Sequence, residues 1–167
     1  MIASKVEDIW PPLVREMVSL GNGSFTKESF LRSERHVLKV LQYNVTVPTS
    51  INFLNRYLET TEAVPGVSSI AKYLLELTII EYSSLQYKCS ELAAGAFFLA
   101  QKLIDKKYVL PHDLSKDIKM TDSKIKQVAG HLMELARKAK GRYGDLYWTI
   151  VRKYDCHKHG FASSIKV

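Results

Sequence analysis

Apolar and polar positions along this chain of 167 residues recur with the period of helices, and nothing in it shows the β-branched alternation of strands. The clearest stripe lies between Thr26 and Val47. It runs through Phe30, Val37, Leu38 and Leu41, spaced to share one helical face. Thr26 is placed as the N-cap, and Glu28 falls in the first turn, where a carboxylate meets the positive end of the helix dipole. One residue breaks the stripe. At 100° per residue, Glu34 lies about 40° from Phe30 and about 20° from Leu41, inside the apolar face. Acidic side chains are seldom buried alone. Periodicity therefore leaves three readings of Glu34: an exposed rim position, an internal salt bridge, or a residue that orients a binding partner.

The same periodicity predicts the other elements. Residues 1–8 end a helix that stops before Pro11-Pro12, with Ile2, Val6 and Ile9 on one face and Lys5 about 60° from Ile2. Pro12 opens a short second helix that stops at Gly21. Residues 45–48 form an extended connector, because a proline pushes its predecessor away from helical angles. Thr49 caps a helix carrying Ile51, Phe53, Leu54 and Leu58. Pro65-Gly66 breaks the chain, and residues 67–87 read as one long helical stretch. Ser90 caps ELAAGAFFLAQKLI, which is apolar all round and so expected at the centre of a bundle. Ala93, Ala94, Gly95 and Ala96 let neighbouring helices approach it closely. A short helical piece passes through Leu114 and Ile118, Thr121 caps a long amphipathic helix, and residues 143–154 make the last helix. The fold class is all-α.

Composition changes this picture little, but charge and cysteine usage narrow the function. A hydrophobic content of 46% and a charged content of 25% are ordinary for a globular chain of one sizeable domain or two small ones. No apolar run reaches the roughly 20 residues of a membrane span, and MIASKVED lacks the apolar core of a signal peptide. With only Cys89 and Cys156, far apart, the chain suits a reducing compartment. The expectation is an intracellular protein, of nucleus and cytoplasm, with no membrane contact. Residues 1–101 carry 9 basic and 10 acidic side chains, whereas residues 102–167 carry 15 and 7. That basic half has its lysines scattered over several helices without interleaved aromatics. It reads as a solvated face, and nucleic acid is not the expected partner. Cys156, His157 and His159 gather three potential metal ligands without the second pair a zinc site needs. His36 and His131 are expected to pack. No phosphate loop, HExxH or Ser-His-Asp arrangement is present, so no catalytic residue, cofactor, metal or small-molecule substrate is expected.

A weak internal repeat organises the chain. At an offset of 95, Thr26 falls on Thr121, Phe30 on Ile125, His36 on His131, Val37 on Leu132 and Leu38 on Met133. Ile2-Ala3-Ser4-Lys5 falls on Leu99-Ala100-Gln101-Lys102 at an offset of 97. The second copy has two helices before its central one, while the first begins at the equivalent of that central helix. The expectation is that roughly 45–50 residues are missing ahead of the first copy. Glu34 has Ala129 as its counterpart. The fold thus does not require a carboxylate there, which favours a binding role.

ASKVEDIWPPLVREMV, the run from Thr26 to Pro48, SSIAKYLLELTIIEY, SELAAGAFFLA and the closing RKYDCHKHG together resemble a B-type (mitotic) cyclin. The resemblance covers nearly the whole chain. It implies tandem five-helix cyclin boxes, the first incomplete: residues 1–47 as the last three helices of the N-terminal box, 48–158 as the C-terminal box and 159–167 as a tail. It implies a non-enzymatic subunit that binds and activates a cyclin-dependent protein kinase. Lys5 of the ASK motif and Glu34 match the pair that holds backbone groups flanking the kinase's mobile C-helix. Ile2, Val6, Leu38 and Tyr43 match the apolar residues around that pair. Val6 departs from the family pattern, where an aromatic residue follows the lysine, and Ser33 stands where a bulkier residue is usual. The substrate-docking patch of the family belongs to a helix this chain does not contain. The alternative is a cyclin-fold general transcription factor contacting DNA through the basic half.

Overall fold

A computed structural model describes residues 1–61, 63–110, 118–141 and 144–164. Among these residues there are eight α-helices, three short 3-10 turns and no strand. The chain divides into two compact units, Met1–Val47 and Pro48–Val167.

The first unit holds α1 (Ile2–Glu7), α2 (Val14–Leu20) and α3 (Lys27–Val40). Asp8 is extended, at φ −92° and ψ 138°, and this ends α1 at Glu7, one residue short of the expected end. Ile9 therefore lies beyond the helix at 89% exposure and does not share a face with Ile2 and Val6. Helix α2 starts at Val14 with Leu13 as its cap, so Pro12 precedes the helix instead of opening it. Glu16 reaches back to accept a hydrogen bond from the Leu13 amide at 2.8 Å. The helix stops at Gly21, where a Cβ would sit 2.5 Å from the Phe25 ring. Phe25 stacks on Phe30 with ring centroids 5.5 Å apart. Thr26 caps α3 as expected: its hydroxyl accepts from the Ser29 amide at 3.2 Å, and its own amide donates to Ser29 Oγ at 3.0 Å. No residue of α1, α2 or α3 is fully buried.

The second unit is a helical bundle of α4 (Ser50–Thr60), α5 (Pro65–Ile80), α6 (Cys89–Ile104), α7 (Asp122–Lys140) and α8 (Gly144–Tyr154). Helix α6 is central and packs against α4, α5 and α7. Leu92, Ala93, Ala94, Gly95, Ala96 and Phe97 are all buried on it. At Gly95 an added Cβ would meet Val128 Cγ1 of α7 at 2.5 Å, so only glycine permits this approach. Leu54, Leu74, Leu77, Ile125, Leu132 and Tyr147 fill the space around α6, each at most 1% exposed.

In the second unit three boundaries differ from the sequence expectation. Helix α5 begins at Pro65, because proline at the first helical position gives up an amide that has no intrahelical partner. It ends at Ile80, where Glu81 turns extended, and Tyr82–Gln86 forms a 3-10 turn with Leu85 74% exposed. Helix α6 begins at Cys89, with Lys88 as cap and Glu91 accepting from the Lys88 amide at 3.0 Å, so Ser90 lies inside the first turn. Thr121 does cap α7, through the Lys124 amide. Leu114 and Tyr143 lie outside the described residues. In the stretch read as a tail, Ala162–Ser164 forms a 3-10 turn against α5 and α8, with Ala162 and Ser163 each 3% exposed.

Polar bonds tie α8 to α5 and to Glu81, the residue that follows α5. Tyr147 donates to Glu81 at 2.8 Å, and Tyr154 donates to Glu76 at 2.7 Å. Burial and the Glu81 carboxylate together push the Tyr147 hydroxyl up to about 12. His131 lies 3.0 Å from the hydroxyl of buried Ser84 and packs on the Tyr87 ring. His36, by contrast, is exposed and does not pack as expected.

Candidate functional site

The first unit brings together the two charged residues singled out in the sequence, although 29 positions separate them. Lys5 Nζ lies 2.9 Å from Glu34 Oε1 and 3.0 Å from Oε2, joining α1 to α3. The Glu34 side chain is 13% exposed and that of Lys5 is 47% exposed. The carboxylate inside the apolar stripe is therefore compensated by an ammonium within its own unit. An ammonium carries three donors and each carboxylate oxygen two lone pairs. After the two bonds of the pair, one donor and several acceptor positions remain for an outside partner.

The apolar residues assigned to the same site surround α1 and the end of α3. Ile2 and Leu38 are half-buried, while Val6 is 43% and Tyr43 is 65% exposed. Leu38 and Tyr43 are linked by the way α3 ends. The Tyr43 amide donates to the Leu38 carbonyl at 2.8 Å and the Gln42 amide to Lys39 at 3.0 Å, the crossed pair of a Schellman closure. That closure places residues in the positions of Leu38 and Tyr43 side by side. Gln42 and Tyr43 both take left-handed backbone, at φ 50° and φ 61°, which glycine would adopt at less cost. Strain of this kind collects at binding and catalytic sites.

Two residues outside the sequence-derived set belong to the same exposed surface chemistry. Ile9 and Trp10 are each 89% exposed in the first unit. The signal for them is local: an aromatic residue directly before Pro11-Pro12 has no helix to fold it inward.

Other chemistry finds no support among the described residues. No group of three or more His, Cys, Asp or Glu side chains converges, and the Cys156 thiol donates to the Lys153 carbonyl at 3.3 Å. No helix among them is long and apolar enough to cross a membrane.

Comparison with known proteins gives this geometry its context. Residues 48–167 match the family model "Cyclin, C-terminal domain", and residues 1–46 match "Cyclin, N-terminal domain". A putative cyclin-B3-1 of Arabidopsis thaliana is 31% identical over 140 residues, 84% of this chain and 35% of that protein. The G2/mitotic-specific cyclin-B of Spisula solidissima is 38% identical over 105 residues, 63% of this chain and 24% of that protein. Cyclin-A1 of Homo sapiens is 38% identical over 109 residues, 65% of this chain and 23% of that protein. The chain thus spans about a quarter to a third of the length of these relatives. Two family models in chain order, covering both compact units, decide the assignment: the chain belongs to the cyclin family.

Proposed function

We propose that this chain is a regulatory subunit that binds and activates a cyclin-dependent protein kinase, acting in mitotic control and carrying no catalytic residue of its own. The observation that carries the proposal is the Lys5–Glu34 pair set among uncovered apolar side chains. The free Lys5 donor bonds a kinase carbonyl, and Glu34 accepts from a kinase amide, at the backbone flanking the mobile C-helix. Ile2, Val6, Leu38 and Tyr43 exclude water around these bonds. Lower local dielectric then strengthens them. In molecules arranged this way the pair is already assembled, so these two side chains lose little further order on docking. Activation follows if the chain binds the active placement of the kinase helix more tightly than the inactive one, shifting the population between them. The mitotic assignment rests on likeness to proteins named G2/mitotic-specific cyclin-B.

The DNA-contacting alternative would draw on the basic second half. Several of those cations are engaged: Lys138 with Glu81 at 3.8 Å, Lys153 with Glu76 at 2.6 Å, and Lys124 over the Tyr87 ring at 5.1 Å. The deciding experiment co-expresses the chain with a cyclin-dependent kinase subunit and measures co-purification and kinase activity. Stoichiometric retention with stimulated phosphotransfer is the expected result. Neutralising Lys124, Lys126, Arg137 and Lys138 together should leave retention within about threefold at physiological salt. No retention, with salt-sensitive binding to duplex DNA instead, would overturn the proposal.

A further inference from the structure

A separate site lies in the second unit. A groove of about 910 Å³ runs between the start of α4, one face of α5, the start of α6 and the end of α8. Ile51 of α4, Leu75, Ile79 and Ile80 of α5 and Ile150 of α8 form its aliphatic wall. Ile79 is 80% exposed, and the 3-10 turn that follows leaves Tyr82 and Leu85 85% and 74% exposed. The groove is thus open to solvent, and apolar side chains stand in water around it. Polar groups of its lining are largely spent. Thr49 donates to Asn52 Oδ1 and Thr78 to the Leu75 carbonyl, each at 2.6 Å. Glu76 accepts from Lys153 at 2.6 Å and from Tyr154 at 2.7 Å. Lys72 is the exception. It precedes Leu75, Glu76 and Ile79 on α5 by three, four and seven residues, so helix geometry puts all four on the groove face. Glu76 is the carboxylate that would pair with it at that spacing, and Glu76 is already taken. Lys72 makes no hydrogen bond, ion pair or ring contact with another of the described residues. A half-buried ammonium beside aliphatic side chains is left without its anion.

We propose that this groove takes an amphipathic helix of a protein partner, with one carboxylate of that helix set against Lys72. Helices that dock in grooves do so through apolar anchors recurring at i, i+3, i+4 and i+7, and the aliphatic wall here is what such anchors cover. A small molecule fits the observations less well. Ligand sites of that kind bury about 70–90% of their occupant, whereas a wall with Ile79 so far in solvent encloses nothing. A helix roughly 10 Å across covers an open groove with one face and keeps its other face in water. The charge of the partner follows from Lys72. A helix without a carboxylate there would desolvate the ammonium and return no bond to it. The partner is therefore acidic at the border of its apolar stripe, and it docks on the unit that does not carry the Lys5–Glu34 pair.

The test is fluorescence anisotropy with the whole chain at physiological salt. The probe is a labelled helical peptide of about 16 residues, with leucines at i, i+3, i+4 and i+7 and one glutamate beside that stripe. One twin carries glutamine for the glutamate, and a second has the leucines scrambled. The acidic probe should bind at least about tenfold more tightly than the scrambled twin and roughly three- to tenfold more tightly than the glutamine twin. Ile79→Gln should weaken the acidic probe by roughly three- to tenfold. Lys72→Gln should abolish the preference for glutamate over glutamine. Val40→Gln, at an exposed apolar position of the first unit, should change binding by less than about twofold. Ile79 is exposed, so circular dichroism should show unchanged melting in its variant, and Lys72→Gln decides the charge separately. Equal binding of the acidic and scrambled probes would overturn the proposal. So would a loss in Val40→Gln equal to that in Ile79→Gln, which would put the peptide on the first unit. A preference for glutamate that survives Lys72→Gln would overturn the acidic assignment. Self-association of the chain that Ile79→Gln abolishes would give the groove to a second copy, and displacement of the probe by equimolar dodecanoate would give it to a small apolar acid; either would overturn the helix.

Discussion

Replacing Glu34 by alanine separates stability from binding, because the two effects differ in size. In the free chain Glu34 accepts two bonds from Lys5 at 2.9 and 3.0 Å, with Lys5 47% exposed. Pairs with one solvated partner contribute about 0.2–1 kcal/mol to stability, and the near-burial of Glu34 places this one toward the upper end. Lys5→Ala should cost more than Glu34→Ala, since it leaves a mostly buried carboxylate uncompensated. In the proposed kinase complex the same carboxylate would be desolvated against a backbone amide. Removing one side of such a contact costs about 2–5 kcal/mol, roughly 30-fold to several-thousand-fold in Kd. Calorimetric titration against the kinase subunit should therefore show a loss several times larger than chemical denaturation shows in the free chain. Lys5→Ala should weaken binding in the same direction, and the double variant should lose less than the two singles added, since both hold one element of the partner. Glu28→Ala in the first turn of α3 serves as control, at a few tenths of a kcal/mol of helix stability and no change in binding. Wild-type affinity in Glu34→Ala, or a loss of fold matching the loss of binding, would refute the assignment of α3 as the kinase-facing helix.

Three further outcomes concern the second unit. Gly95→Ala places a Cβ 2.5 Å from Val128 Cγ1, and overpacking of about 1–3 kcal/mol should exceed the gain of up to ~1 kcal/mol in helix propensity. Thermal melting should show the net loss, and Val128→Ala in the same chain should make the pair of changes cost less than their sum. Tyr147→Phe removes the 2.8 Å bond to Glu81 and should cost about 1.5–3 kcal/mol by urea denaturation. Finally, stability should fall on acidification from pH 7.5 to 5.5. Burial holds His131 below its usual value, with Glu81 and Glu134 opposing and Lys138 adding to that effect. The unfolded chain then binds more protons near pH 6.5, so stability rises with pH through that window and is complete above it. His131→Gln should flatten the slope of melting temperature against pH there. Glu81 lies below the usual carboxylate range, chiefly through its bond from Tyr147, and its contribution is lost only below about pH 4.5.

Helices announced by apolar periodicity were legible in the chain. The all-apolar run at 91–104 does occupy the bundle centre, and the stripe through Phe30 and Leu38 does form α3. Boundaries set by single hydrogen bonds were not. Lys88 caps α6 because Glu91, three residues on, reaches its amide, and lysine has no cap propensity that would announce it. Pro65 reads equally as a break or as a first helical residue, and only the backbone around it chooses. At the site, Glu34 was conspicuous as a carboxylate in an apolar stripe and Lys5 as part of a motif. Their bond to each other was not readable, since nothing local relates residues 29 positions apart.

The first unit buries none of its helical residues, while Val40, Leu41, Tyr43 and Val47 all stand between 45% and 75% exposed. Helices that bury none of their residues completely draw little stability from packing, and the unit is expected to exchange between arrangements. An observed dissociation constant is then the intrinsic one divided by the fraction of molecules already arranged. Docking becomes a folding reaction in part, and calorimetry should record it as a heat-capacity change more negative than the docked contact area alone gives. Substitutions that raise helix content in α1 or α3 without touching the interface should tighten binding through that fraction. Affinity for the proposed kinase would then be tuned by the backbone of this unit as much as by its contacts.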